Sequence, residues 1–201
     1  GAIPESLVSV KQGQVTTNPI AGTRPRGKDE REDKALAEEL LADEKEVAEH
    51  RMLVDLGRND IGKIAQNNSV EVTKYMEVEY FRYVMHLTSV VRGQLLPQLT
   101  AMDALKSTLP AGTVSGAPKI RAMKRIYELE QEKRGVYAGA IGYLSATGDM
   151  DFAIAIRTMV LKNGRAYVQA GAGIVYDSIP TNEYQETINK AKSMTKIGEM
   201  Q

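Results

Sequence analysis

Asp151-Phe152-Ala153-Ile154-Ala155-Ile156-Arg157-Thr158-Met159-Val160-Leu161-Lys162 is followed by Asn163-Gly164 and then by Arg165-Ala166-Tyr167-Val168. Both runs are rich in β-branched and aromatic residues, which suit a pleated surface. Asn-Gly between them is the strongest short hairpin signal, since both positions accept positive φ. The stretch therefore reads as two antiparallel strands, 151–162 and 165–175. Upstream, Tyr137–Thr147 reads as a third strand, joined through Gly148-Asp149. Gly171-Ala172-Gly173 falls inside the last strand, where glycine marks a bulge or a close backbone approach.

Towards the N-terminus, Leu7–Val10 and Gln14–Ile20 form a further hairpin about Gln12-Gly13. Gly22 to Gly27 holds two glycines and a proline in six residues and reads as a loop. Asp33 caps a long helix whose apolar periodicity runs through Leu36, Leu40, Val47 and Val54, with Gly57 and Asn59 at its end. Val70–Val78 alternates as a strand, and Tyr80–Val91 reads as extended. Thr100 and Asp103 form a capping box for a short helix. Pro110–Gly116 is a loop, after which Ser115 caps a helix reaching Gln131 with Pro118 in its first turn. Thr181 or Asn182 caps a last helix. Antiparallel strands interspersed with helices make the class α+β (mixed α/β), as one domain over residues 1–201. The first residue directly precedes a hairpin strand, so the sheet is expected to draw on strands upstream of it.

Composition narrows the function. The 201 residues carry 26 basic and 26 acidic side chains, so no basic excess points to nucleic acid. Hydrophobic residues make up 42%, enough for a packed core. No apolar run approaches the roughly 18 residues of a membrane helix, and no signal peptide is seen, so the expected location is cytoplasmic. Cysteine is absent, which removes disulfides, thiol nucleophiles and thiolate metal sites. The charge clusters at 28–34 and 43–51 read as solvated faces.

Four glutamates stand out. Glu46 and Glu49 lie three apart on the long helix, and Glu183 and Glu186 repeat that spacing on the last. Two such pairs could serve a hard divalent cation such as Mg2+, which needs only one or two direct carboxylates; equally, glutamate is simply a good helix former. His50 suits a pairing with Glu46 one turn earlier. His86 lies in the apolar run Val84-Met85-His86-Leu87-Thr88, as a core group or an acid/base. Arg157 interrupts an apolar strand, where an unpaired cation is costly, so it calls for an anionic partner. The segments 112–116 and 171–173 could turn backbone N–H groups towards an anion. Residue chemistry thus reaches a small anionic ligand with a divalent cation, and stops there.

Longer motifs go further. Pro19-Ile20-Ala21-Gly22-Thr23-Arg24-Pro25-Arg26-Gly27, Ala48 to Asp60, Pro110 to Lys119, Ala153 to Thr158, Gln169 to Val175 and Glu183-Tyr184-Gln185-Glu186-Thr187 resemble the chorismate-utilising enzymes, in order and over nearly the whole chain. The resemblance implies layered antiparallel sheets flanked by helices. Within the family the details resemble the anthranilate-forming branch. Ala21 stands where aminodeoxychorismate synthases typically carry a nucleophilic lysine, and Pro110-Ala111-Gly112-Thr113 also looks like that branch. Sister activities, aminodeoxychorismate or isochorismate synthase, and a non-catalytic fragment remain the alternatives.

The resemblance also implies roles. Glu49 and Glu186 would bind Mg2+ directly, with Glu46 and Glu183 behind them. Tyr137 and Arg157 would hold the pyruvyl carboxylate, with the backbone of Gly171, Ala172 and Gly173 completing the cradle. Lys190 would lie near the ring carboxylate. Gly22 and Thr23 would line the ring, and His86, oriented by Thr113, would act as acid/base in pyruvate elimination. Chorismate and ammonia would give anthranilate and pyruvate, the first step of tryptophan biosynthesis, in a Mg-dependent lyase reaction. A separate glutamine amidotransferase subunit would supply ammonia; a homo-oligomer stays open. Family members run to about twice this length, and tryptophan feedback would bind in an N-terminal portion that a C-terminal catalytic portion lacks.

Overall fold

The computed structural model describes residues 5–195, so the first four and last six residues of the expected domain lie outside it. Two compact units emerge. One comprises Ser6–Thr108 with Tyr143–Phe152; the other comprises Gly1–Glu5, Leu109–Gly142 and Ala153–Gln201. Among the described residues no helix is long and apolar enough to cross a membrane.

The larger unit begins with β1 (Ser6–Lys11) and β2 (Gln14–Thr17), the expected hairpin, with Gln12 at φ 50° and Gly13 at φ 78° in its turn. β3 (Ile20–Pro25) follows where a loop was expected. Its Gly and Pro are tolerated because the strand is irregular. Against β5 (Val84–Gln94), Ala21 pairs with Leu87 but Arg24 with Met85, a bulge that absorbs Gly22 at φ 65°. β4 (Glu71–Tyr80) pairs with the other side of β5 through two register shifts. β5 is thus flanked by β3 and β2 in succession on one side and by β4 on the other. Beyond β2 lie β1, then β7 (Met150–Ile154) and β6 (Ala140–Leu144).

The long helix expected from Asp33 is two helices, α1 (Glu30–Ala42) and α2 (Glu44–Gly62). Asp43 divides them: its backbone N–H closes α1 on Leu40, and its carboxylate accepts from the N–H groups of Lys45 and Glu46 to open α2. The N-cap of α1 is Asp29, which accepts from Glu32 N–H at 2.8 Å. Asp33 instead turns back to Arg26 and accepts from Gly27 N–H at 2.6 Å. The Arg26 guanidinium holds its carboxyl below the usual carboxylate range. Nor does Gly57 end α2, which runs on to Gly62.

Leu40 and Ala37 of α1 pack on Met85 and Leu87 of β5, all buried, and Leu53, Val54 and Ile61 of α2 extend the layer. Each such large side chain contributes about 1.5–3 kcal/mol by leaving water. The approach of α2 to β5 is set by Gly93, where a Cβ would stand 2.6 Å from Ile61 Cγ2. Before α3 (Ala101–Thr108) one half of the expected capping box forms: Thr100 N–H and hydroxyl both donate to the Asp103 carboxylate, while Asp103 N–H donates to the Thr100 carbonyl instead of the hydroxyl.

In the second unit, α4 (Gly112–Ser115) is a single turn where a loop was expected. Ser115 does not cap the next helix; its hydroxyl donates back to the Ala111 carbonyl. α5 (Lys119–Leu129) begins after Pro118. The continuous strand expected over 151–162 breaks after Ile154 and resumes as β8 (Met159–Lys162). β8 and β9 (Arg165–Val168) form the Asn-Gly hairpin, with Asn163 and Gly164 both at positive φ, but β9 ends before the glycines. α6 (Pro180–Thr195) closes the unit.

His50 is fully buried on α2. Its Nε2 lies 2.6 Å from the hydroxyl of Ser89 on β5, not against Glu46. Ser89 in turn accepts the N–H of Met76, the positive-φ residue of the β4 irregularity. Burial lowers the imidazole pKa to about 4. Below an unfolded-state value near 6.5, the unfolded chain binds a proton that the folded one refuses. Stability is therefore complete above that pH and falls by about 1.4 kcal/mol per unit as pH drops towards 4. Between pH 7 and 5 this histidine should remove about 2 kcal/mol, or roughly 4–8 °C of Tm. Thermal melts should show that extra loss in the native chain and not in His50→Gln; parallel pH dependence of the two would refute it.

Candidate functional site

The larger unit brings His86, Gly22, Thr23, Glu46 and Glu49 into one region. His86 projects from β5 opposite the β3 bulge, its Nδ1 2.8 Å from the Gly22 carbonyl and 3.1 Å from the Thr23 hydroxyl. The Phe81 ring lies 5.5 Å from the imidazole, tilted by 60°. A Cβ on Gly22 would meet Leu40 Cδ1 at 2.8 Å and the Glu46 carboxylate at 3.4 Å, so the bulge runs hard against both helices. Glu46 and Glu49 are half-buried on α2. Loss of water raises the Glu46 pKa first, with the charges of Glu49 and Asp43 adding to it. A crowded, partly dehydrated carboxylate pair of this kind is relieved by a cation.

The second unit gathers Tyr137, Arg157, Gly171, Lys190 and Glu186. Arg157 does not sit in a strand as expected; it occupies the break between β7 and β8 at φ 50°. There its guanidinium donates to the Lys190 carbonyl of α6 at 3.0 Å. Tyr137 precedes β6 in a turn, where the Ala138 N–H donates to the Ala155 carbonyl and Arg134 lies over the Tyr137 ring, 5.6 Å from its centroid. Burial raises the Tyr137 pKa, with Arg134 and Arg157 opposing, so the phenol stays a donor near neutral pH. Lys190 Nζ lies 3.2 Å from the Gly171 carbonyl and 2.5 Å from Glu186. Residues 169–175 are irregular backbone rather than strand. A cleft of about 330 Å³ opens there, lined by Ala172, Ile174, Val175, Tyr184 and the buried Glu183; Gly173 is exposed on the same segment.

Thr113 belongs to α4, and its hydroxyl donates to the Glu5 carboxylate at 2.6 Å. Within the larger unit, the partners of His86 Nδ1 are the Gly22 carbonyl and the Thr23 hydroxyl. Glu5 itself escaped the sequence reading. It is buried, with its carbonyl accepting from Ile154 N–H. An acid just before a strand reads as an exposed strand end, and only Pro4 beside it hinted at a fixed position.

Within neither unit do three carboxylate or imidazole groups converge on one point among the described residues. Each unit offers a glutamate pair one helical turn long. That donor set, hard oxygens in part buried, suits Mg2+, which retains several waters.

These features place the chain in a family. A family model described as chorismate binding enzyme matches residues 1–196. The chain belongs to that family. It is 66% identical to anthranilate synthase component 1 of Lactococcus lactis subsp. lactis (strain IL1403), over 99% of this chain and 44% of that protein. The crystal structure of anthranilate synthase component I from Streptococcus pneumoniae TIGR4 superposes with TM-score 0.90 at 82% identity, over 97% of this chain and 43% of that one. The menaquinone-specific isochorismate synthase of Escherichia coli is more distant, with TM-score 0.85 and 29% identity over 96% of this chain and 44% of that one. The chain thus spans somewhat under half the length of these relatives.

Gly171 is the tightest point of the second cluster: a Cβ there would stand 2.9 Å from the Tyr137 hydroxyl oxygen. Gly171→Ala should cost about 1 kcal/mol in denaturant unfolding, and Tyr137→Phe, which removes the obstructing oxygen, should cancel most of it. Additive effects in that double-mutant cycle would show that the two do not press on each other.

Proposed function

We propose that this chain carries the chorismate-binding, catalytic part of an anthranilate synthase component I, which turns chorismate and ammonia into anthranilate and pyruvate. The observation that carries the reading is the donor cradle of the second unit. The Tyr137 hydroxyl lies close against Gly171, Lys190 Nζ donates to the Gly171 carbonyl, and Arg157 donates to the Lys190 carbonyl. A cyclic substrate with two carboxylates calls for such a set of fixed cations, a neutral hydroxyl and free backbone N–H groups.

In this reading the Tyr137 hydroxyl and the Arg157 guanidinium hold the pyruvyl carboxylate. The backbone N–H groups of Gly171, Ala172 and Gly173 complete its cradle. Lys190 leans towards the ring carboxylate, and Gly22 and Thr23 line the ring. His86 moves the proton as pyruvate leaves. Glu49 and Glu186 would hold Mg2+, with Glu46 and Glu183 in support. The chemistry such an ion would supply when bound is that of a hard Lewis acid, favouring loss of the C4 hydroxyl. Ammonia enters at C2 as that hydroxyl departs. Elimination of pyruvate from the resulting aminodeoxyisochorismate then gives the aromatic ring.

Ala21 supports the anthranilate branch. It is a buried aliphatic residue on β3, with no group to attack the ring. Ammonia would come from a glutamine amidotransferase partner, anthranilate synthase component II; these 201 residues hold no cysteine that could hydrolyse glutamine. Its setting is the cytoplasm, in the tryptophan pathway.

Chorismate, Mg2+ and ammonium should yield anthranilate fluorescence, with product mass separating anthranilate from isochorismate and aminodeoxychorismate. A well-folded chain that forms no anthranilate and binds no chorismate by calorimetry would overturn the proposal. Glu49→Gln should lower activity at least a hundredfold and abolish the Mg2+ titration curve, about 3 kcal/mol of transition-state stabilisation. Activity that keeps its Mg2+ dependence would remove Glu49 from the ligand set.

A further inference from the structure

The β3 bulge has a chemical as well as a geometric consequence. Ala21 pairs with Leu87 and Arg24 with Met85, so two residues, Gly22 and Thr23, face the single residue His86. Both turn oxygen towards the same ring nitrogen. The Gly22 carbonyl is 2.8 Å from Nδ1 and the Thr23 hydroxyl 3.1 Å. A peptide carbonyl can only accept, so the shorter bond requires a hydrogen on Nδ1. Nor can the carbonyl readily swing away. Gly22 sits at φ 65° with Leu40 packed where a Cβ would be, and Arg24, two residues on, is held by Glu39 at 2.8 Å and Asp43 at 2.9 Å.

We infer that the bulge fixes His86 as its Nδ1–H tautomer, leaving the Nε2 lone pair as the atom that takes up and returns the proton, and that Thr23 is a positioning residue for that tautomer. A free histidine side chain in water prefers the opposite form, with hydrogen on Nε2. The bulge thus reverses the usual preference through the hydrogen bond made by the other nitrogen. The Thr23 hydroxyl oxygen takes the second branch of the Nδ1–H bond, and the Phe81 ring packs against the imidazole at a tilt. The inference deepens the proposed function, on which the role of the proton rests; the tautomer itself does not depend on turnover.

The chain has two histidines, so 15N-histidine labelling gives two imidazoles to assign, and the His50→Gln spectrum identifies His86 by elimination. At a pH where imidazole is neutral, long-range 1H–15N correlation should show a protonated-type shift at Nδ1 and a lone-pair shift at Nε2. Thr23→Val should move the ratio towards the Nε2–H form and lower kcat about fivefold, the scale of one net hydrogen bond, with KM within twofold. Thr23→Ser should restore both. A dominant Nε2–H form in the native chain overturns the inference, as does a Thr23→Val ratio identical to native. Should the Nδ1–H form appear while no variant or native chain makes anthranilate, the tautomer stands and the functional reading falls.

Discussion

The Arg24 guanidinium reaches two carboxylates at once, Glu39 on α1 and Asp43 between the helices. On a solvated surface such a pair would add little. Here Arg24 is largely covered, and Asp43 does three tasks: it closes α1, caps α2 and anchors both to β3. The contact lowers the Asp43 carboxyl below the usual range, with the helix N–H groups of Glu46 and Lys45 reinforcing it. Everything the larger unit offers to chemistry follows from that junction. α2 starts at a fixed height, so Glu46 and Glu49 emerge within its first two turns. Its far end is fixed independently by Ile61 over Gly93.

The same strand supplies the second constraint. A regular β3 would oppose one residue to one, and His86 would meet a single backbone neighbour. Inserting one residue lets a carbonyl and a hydroxyl address one nitrogen, while the glycine needed for the positive φ also makes room for Leu40 and Glu46. Bulges tend to lie where a sheet must re-aim a side chain. Here the irregularity that hides the strand from a sequence reading is the one that equips the histidine.

Much of the fold was legible because periodicity and turn chemistry are local. The Gln12-Gly13 and Asn163-Gly164 turns, the Thr100–Asp103 contact before α3 and the α6 helix all follow from residues within a few positions of one another. The misread parts depend on partners far away in sequence. Asp33 has every attribute of an N-cap, yet Arg26 claims it, and Asp29 takes the task. The run 151–162 has strand composition throughout, but it breaks where the guanidinium of Arg157 reaches a carbonyl on α6. For the site, the motifs named the side chains and could not give their neighbours. His86 takes its partners from Gly22 and Thr23 of the neighbouring strand, and Thr113 meets Glu5, more than a hundred residues earlier in the chain.

Charge is distributed by backbone type. The acids proposed for a cation sit in i, i+3 pairs on α2 and α6, where a helix fixes their separation. The groups proposed for an anion, Arg157 and the segment 171–173, sit on irregular backbone, where N–H groups are not consumed by a strand ladder. Lys190 joins the two. It shares α6 with Glu186, which it pairs at 2.5 Å, and its Nζ rests on the Gly171 carbonyl. The charge that balances Glu186 within its own helix is thus the same ammonium that ties the irregular segment at Gly171 to α6.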